Sequence, residues 1–240
     1  MIKETPRFAS KPSVAWDKEH MSVLIAVDTS GSVAPAIRNI NANLNHFKEN
    51  VCENEIAAKC VDVCVMTFDD LPRVIQDWCP VQDMNPIELD AAGCTDLNGA
   101  IVEGIDKIRE RSREYRDLGI VEKKPYLIVM TDGYDNITGN VDAAAEYAAK
   151  RIGEGKLKLF FLGFGEYDKA TAAQLCKTHG NWCFEVEDGD FDFNDFFDFV
   201  GNSVKAASVS APDEEIHVET TVGTDDSNVK VVSLDSWLND

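Results

Sequence analysis

The stretch Val23–Val33, VLIAVDTSGSV, runs apolar residues straight into an acid and a group of hydroxyls. Its apolar part is short, rich in β-branched residues and free of polar alternation. That pattern suits a central parallel strand covered on both faces. Asp28, Thr29, Ser30, Gly31 and Ser32 then fall at the carboxyl end of the strand, where open α/β sheets place their ligand sites. The functional side chains there all end in oxygen, which suits magnesium, calcium or manganese and is poor for softer metals. Gly31 lets the backbone turn sharply.

Outward from this stretch, strand-like and helix-like segments alternate. Residues 34–50 carry Ile37, Ile40, Leu44 and Phe47 at offsets of three and four, which predicts an amphipathic helix. CVDVCVMTF (60–68) is the next strand. DDLPRVIQDWCPV (69–81) predicts a turn and an edge strand, because Pro72 cannot donate to a ladder. A long helix is expected over 98–115, with Asp106/Arg109 and Glu110/Arg113 forming a solvated face. PYLIVMTDG (125–133) is a second buried strand that runs into an acid. Helices are expected at 141–152, 169–178 and 191–205, and strands within KLKLFFLGFG (156–165) and NWCFEVE (181–187). The Phe-rich run FDFNDFFDFV (191–200) fits core packing against a sheet better than a docking stripe.

The predicted fold class is therefore α/β: a doubly wound, mostly parallel central sheet with one antiparallel edge strand and helices on both faces. Three regions follow: an N-terminal leader (1–20), the α/β domain (21–206) and an acidic C-terminal segment (207–240). In the last, IHVETTV and NVKVVSL either pair across GTDDS as a hairpin or belong to a tail. Its end, SLDSWLND, presents Trp237 and Leu238 amid acids, as a short binding peptide or a frayed terminus would.

Composition narrows the function. With 44% hydrophobic residues, including 12 Phe and 4 Trp, there is material for a large core, which excludes global disorder. No apolar run approaches the roughly 20 residues of a membrane span. The first residues lack a signal-peptide core, so the expected location is cytoplasmic. The 43 acids outweigh 23 bases, for a net charge of −20. Such a surface repels nucleic acids and anionic membranes and favours cations and basic partners, although solubility alone would account for most of it. The 7 cysteines are odd in number and contain no Cys-x-x-Cys, so they read as reduced structural thiols.

Three strand ends carry oxygen ligands: Asp28, Ser30 and Ser32 in the first; Thr95 and Asp96 after Gly93 in AAGCTDLNGAI; Asp132 and Gly133 in IVMTDGYDN. In a parallel sheet these ends share one edge, so loops distant in sequence meet around one ion. A hard cation takes about six oxygens, with water or a partner completing the shell. Each segment alone is ordinary. Asp-Gly after a strand is commonly a turn, Thr-Asp before a helix a cap, and Ser30 and Ser32 could only cap the next helix.

Taken together and in this order, the segments resemble the von Willebrand factor A domain family. Its metal-ion-dependent adhesion site is the pattern Asp-x-Ser-x-Ser, then Thr, then Asp. The matching positions are Asp28, Ser30, Ser32, Thr95 and Asp132, and the resemblance extends over about residues 21–205. It implies that the hydroxyls of Ser30, Ser32 and Thr95, with Asp28 and Asp132 often acting through water, hold a divalent ion. The ion is usually magnesium, with manganese and calcium as alternatives. Within the family, GCTDLNGAI, IRERSREYRDLG and PYLIVMTDGYDN look most like bacterial intracellular members associated with tellurite resistance and stress operons. That resemblance implies a place in a bacterial stress or defence assembly.

The resemblance also implies a function. Neutral hydroxyl ligands leave the ion much of its charge, so its open position attracts a Glu or Asp from a protein partner. The expected function is a metal-dependent protein–protein interaction module, not an enzyme, with neither nucleic acid nor membrane as partner. One alternative is a metal-dependent, phosphatase-like hydrolase using Asp69, Asp70, Asp96 and Asp135 near the strand ends. Against it, no nucleophile–base pair is evident, and His20, His46, His179 and His217 occupy unrelated contexts. The other alternative is an acidic mimic of nucleic acid, motivated by charge alone. Asp235 and Asp240 could in principle serve as internal ligands.

Overall fold

A computed structural model of the chain describes residues 19–133, 135–137, 141–176, 182–186, 191–210, 218 and 220–232. Seven strands form one sheet: β1 (His20–Asp28), β2 (Val61–Phe68), β3 (Pro72–Pro80), β4 (Glu122–Thr131), β5 (Lys158–Gly163), β6 (Trp182–Val186) and β7 (Val229–Val231). The helices are α1 (Ile37–Cys52), α2 (Ala57–Cys60), α3 (Leu97–Asp117), α4 (Val141–Gly153), α5 (Lys169–Cys176) and α6 (Asn194–Val209). Strand order is β3-β2-β1-β4-β5-β6-β7, with β1, β2, β4, β5 and β6 parallel to their neighbours in that inner group.

The apolar run that opens the sequence reading lies in β1, between β2 and β4, and every residue of β1 is buried. Its side chains alternate between two cores. Val23, Ile25 and Val27 pack with Ile40, Leu44 and Phe47 of α1 and Phe196, Phe197 and Val200 of α6. Leu24 and Ala26 face the other layer, with Ile101, Ile105 and Ile108 of α3 and Ala144 and Ala148 of α4. Two-sided burial explains the absence of polar alternation in the strand. It also gives the Phe-rich segment its role: Phe193, Phe196 and Phe197 are fully buried, as core packing requires.

The edges are antiparallel. β3 pairs with β2 in the position expected from Pro72, and only two of its nine residues are buried. At the opposite edge, Val229–Val231 pairs antiparallel with β6, adding a second antiparallel strand that the sequence reading did not place. Val229–Val231 of NVKVVSL therefore join the main sheet, while Ser233 and Leu234 of that segment and Ile216, His217 and Glu219 of IHVETTV, on which the hairpin reading falls, lie outside the described residues. Also outside them lie residues 1–18 of the leader, His179, Asp235, Trp237, Leu238 and Asp240. All seven cysteines are free thiols. Among the described residues, no helix is long and apolar enough to cross a membrane.

Connections leave β1 and β4 toward opposite faces, to α1 and α4 respectively. The strand order reverses between these two strands, which opens a crevice beyond their carboxyl ends.

Candidate metal site

Asp28 ends β1 and Asp132 directly follows β4, so both acids stand at this crevice. The register of the two strands pairs Val27 with Met130, which brings Asp28 level with Thr131. The Thr131 hydroxyl donates to Asp28 Oδ2 at 2.6 Å. The Ser30 backbone N–H donates to Asp28 Oδ1 at 2.8 Å. Past Asp28 the chain tightens into a 3₁₀ turn at Gly31–Val33 before α1. Ser30 stands at the cap position of that turn, yet its side chain makes no capping hydrogen bond. Its hydroxyl lies 3.1 Å from that of Ser32, and Ser32 Oγ donates to Asp132 Oδ1 at 2.8 Å. One unbroken polar chain thus links residues 100 positions apart in sequence, from Ser32 to Asp132.

Thr95 comes from the third segment. A Cβ added at Gly133 would sit 3.5 Å from Thr95 Oγ1, so the threonine hydroxyl faces the turn that follows Asp132. Its loop is fastened on every side. Gly31 N–H donates to Gly93 O at 3.1 Å, and Ala92 N–H to Thr29 O at 2.7 Å. Cys94 N–H donates to Asp70 Oδ1 at 2.8 Å, and Thr95 N–H to Asn136 Oδ1 at 2.9 Å. Gly93 takes φ +88°, a conformation that favours glycine. Asp28, Ser30, Ser32 and Asp132 are therefore brought together directly, and Thr95 is held against the same edge.

Burial grades across the site. Asp28, Ser30 and Thr95 are buried, Asp132 is half-buried and Ser32 is exposed, so access lies on the Ser32–Asp132 side. Burial pushes the Asp28 carboxyl up to about 6, against the hydrogen bonds from Thr131 and Ser30 that favour its charged form. Burial likewise raises Asp132 above the usual carboxylate range, with the Ser32 hydrogen bond opposing it. Among the described residues no lysine, arginine or histidine pairs with either acid. Two carboxylates and three hydroxyls with no resident base form a hard-oxygen donor set with negative charge to neutralise, and this fits a divalent cation. Among the described residues there is no group of three or more His, Cys, Asp and Glu side chains that could hold a metal ion, and this site rests on two acids and three hydroxyls.

The acids considered for hydrolysis have other work. Asp69 accepts from Leu71 N–H and pairs with Arg73 at 2.6 Å. Asp96 caps α3 by accepting from Gly99 N–H at 3.0 Å, and Asp135 accepts from Asn98 N–H at 2.8 Å. Asp70 holds the Cys94 amide. His20 and His46 contact Asp62 and Asp198 respectively, away from the site. The residue that sequence reasoning missed is Thr131. No signal in the sequence marks it, because it meets Asp28 only through the register of β1 against β4.

The comparisons with known proteins agree with this architecture. Among solved structures, the chain is similar to a D319A mutant of the PilB minor pilin from Streptococcus sanguinis, with a TM-score of 0.61 and 11% identity over 81% of this chain and 64% of that one. The SpaC pilus adhesin from Lactobacillus rhamnosus GG in its open conformation gives 0.63 and 11%, covering 79% of this chain and 30% of that one. A von Willebrand factor type A protein from Catenulispora acidiphila gives 0.52 and 16%, covering 79% and 43%. This chain thus spans less than two thirds of each of these neighbours, and at such identities the likeness is one of fold. No curated protein matches the chain. The family model for the von Willebrand factor type A domain matches residues 22–199, a span holding all three site segments, and the chain belongs to that family.

Proposed function

We propose that this protein is a divalent-metal-dependent protein-interaction module that binds a partner's Glu or Asp side chain at the end of β1 and β4. The observation that carries this reading is the continuous polar chain Asp28–Ser30–Ser32–Asp132, open to solvent at one end and without a base. Ser30, Ser32, Thr95, Asp28 and Asp132 are the residues that would hold the ion, with magnesium as the first choice and manganese or calcium as alternatives. When bound, the ion supplies a concentrated positive charge able to take an outside carboxylate as a further oxygen ligand. The chain's own part is orientation. Thr131 and the Ser30 amide fix the Asp28 carboxyl, Ser32 and Asp132 present the accessible side, and the fastened 92–96 loop holds Thr95 in place.

The family supports an interaction role, since its domains often mediate metal-dependent protein contacts. The hydrolase alternative is disfavoured by Asp69, Asp70, Asp96 and Asp135, each engaged with backbone amides rather than aimed at a shared reaction centre. A place in a bacterial stress or defence assembly rests on the resemblance of GCTDLNGAI, IRERSREYRDLG and PYLIVMTDGYDN, and a cytoplasmic location on that resemblance and on the first residues lacking a signal-peptide core. The test is a pull-down by the full chain from its native lysate, run with magnesium, with a chelator and with Asp132→Ala. A partner lost on chelation and on substitution supports the reading. A partner retained in all three conditions overturns it, as would metal-dependent turnover of generic phosphate or ester substrates abolished by Asp132→Ala.

A further inference from the structure

Residues 84–92, MNPIELDAA, run from the turn after β3 to the loop that carries Thr95, and they belong to no strand of the sheet. They are nonetheless held as one. The Asn45 side chain donates to Ile87 O at 3.1 Å and accepts from Ile87 N–H at 3.1 Å. One turn earlier on α1, Asn41 donates to Leu89 O at 3.0 Å and accepts from Leu89 N–H at 2.9 Å. A side-chain amide carries the same donor and acceptor types as a peptide group, so two asparagines stand in for a neighbouring strand. Lys48 Nζ donates to Met84 O at 2.6 Å, and Asn85 Nδ2 donates to Gln76 of β3 at 2.9 Å. Ile87 and Leu89 are buried in the α1 core, which fixes the register.

In an extended chain, alternate residues point their N–H and C=O groups to opposite sides. Ile87 and Leu89 turn theirs to α1, so Glu88 and Asp90 turn theirs away from it. Among the described residues nothing pairs with those backbone groups, and neither carboxylate lies in an ion pair. Both residues are exposed. The result is a short bare strand edge, already ordered, in a segment with two acids and no base. Two residues past Asp90, Ala92 N–H donates to Thr29 O, next to Asp28. The edge therefore continues into the metal site.

We propose that this edge is the docking track for an extended, basic segment of a partner protein, which adds as a strand along Glu88 and Asp90. Main-chain hydrogen bonds supply the pairing. Lysine or arginine side chains at alternate positions of the segment meet the two unpaired carboxylates. A second copy of this chain would set the same acids against each other, which disfavours it as the occupant. The inference rests on the metal-site reading at one end only, where an acid of the same segment reaches the ion. It makes the partner's ligating acid one that is followed by bases.

The probe is a fluorescein-labelled peptide, one glutamate followed by alternating valine and lysine, titrated into the full chain with magnesium and read by fluorescence polarisation. Saturable binding is expected, weakened about tenfold or more when aspartate replaces each lysine. Glu88→Pro and Asp90→Pro each remove an N–H that has no partner among the described residues, so fold and magnesium affinity should be retained. Peptide affinity should fall about fivefold in each. Glu88→Lys combined with Asp90→Lys keeps both N–H groups and should reverse the preference toward the aspartate peptide. Binding that survives chelation yet falls in the proline variants keeps the track and removes the metal-site reading. No peptide binding, binding unchanged in both folded proline variants, or a lysine preference unchanged by charge reversal overturns the proposal. So does self-association in sedimentation that the proline variants abolish, which would make a second copy the occupant.

Discussion

Removing the carboxylate of Asp62 should destabilise this domain more than almost any other single polar substitution. Asp62 is the second residue of β2, at the end of the sheet opposite the metal site, and its Oδ2 gathers three groups. Arg111 Nη2 donates at 2.6 Å, Tyr115 OH at 2.5 Å, and His20 Nδ1 lies at 3.4 Å. The side chains of Asp62 and Arg111 are only 2% and 4% exposed. In Asp62→Ala the guanidinium keeps only its bond to the half-exposed Glu114 at 2.8 Å. Breaking a buried pair by removing one partner costs about 3–5 kcal/mol, and the stranded Tyr115 hydroxyl about 1–3 more if no water replaces its acceptor. With overlap between these costs, a loss of about 4 kcal/mol is expected, which lowers Tm by about 8–16 °C in a domain of this size. Burial raises the Asp62 pKa, but the His20 hydrogen bond, the Arg111 charge and the Tyr115 hydrogen bond outweigh it and leave the carboxyl below its usual range. A carboxylate depressed on folding contributes its full stability above its unfolded pKa, near 3.9, and loses it as pH falls below that value. The wild type should therefore lose this contribution in acid, and the gap to Asp62→Ala should narrow below about pH 4. Urea unfolding of the wild type, Asp62→Ala, Arg111→Met and the double variant would check this, with the double variant costing less than the two singles together. A cost below about 1 kcal/mol for Asp62→Ala, or strict additivity, would refute the reasoning.

Three further substitutions test the parts that position the site. Thr131→Val removes the 2.6 Å hydrogen bond to Asp28 while keeping the side chain's volume. Magnesium affinity, measured calorimetrically, should fall by about 10–100-fold with the fold retained. Asp96→Ala deletes the cap on α3 and should cost about 1 kcal/mol in urea unfolding. Gly163→Ala would place a Cβ 2.4 Å from the Tyr167 ring at the end of β5. Overpacking of this kind costs about 1–3 kcal/mol, and thermal unfolding followed by circular dichroism should register it.

The central strands were legible because burial on both faces leaves nothing polar to interrupt them: VLIAV and YLIVM could be read as β1 and β4 directly. The helices were legible from apolar spacing, though α1 starts at Ile37 rather than Ala34. Gly31–Val33 form the 3₁₀ turn that shapes the Asp28–Ser32 loop and residues 34–36 a further turn, and a periodicity argument does not register so short a 3₁₀ piece. The strand character of NVKVVSL was legible, but its partner was not: Val229–Val231 pair with the edge that β6 presents. At the site, the residue types marked the five positions, but Thr131 and the fasteners Asp70 and Asn136 depend on strand register and loop packing. Those are tertiary facts, and only the three-dimensional arrangement supplies them.

The measurement that tests the account most directly is a calorimetric titration of magnesium into the metal-stripped full chain, beside Asp28→Ala and Ser32→Ala. The expected result is one saturable site in the wild type, abolished by Asp28→Ala and weakened by Ser32→Ala, with circular dichroism confirming that both variants remain folded. Absence of magnesium binding to the folded wild type, or binding unchanged in both variants, would contradict the assignment of the β1–β4 crevice as a metal site.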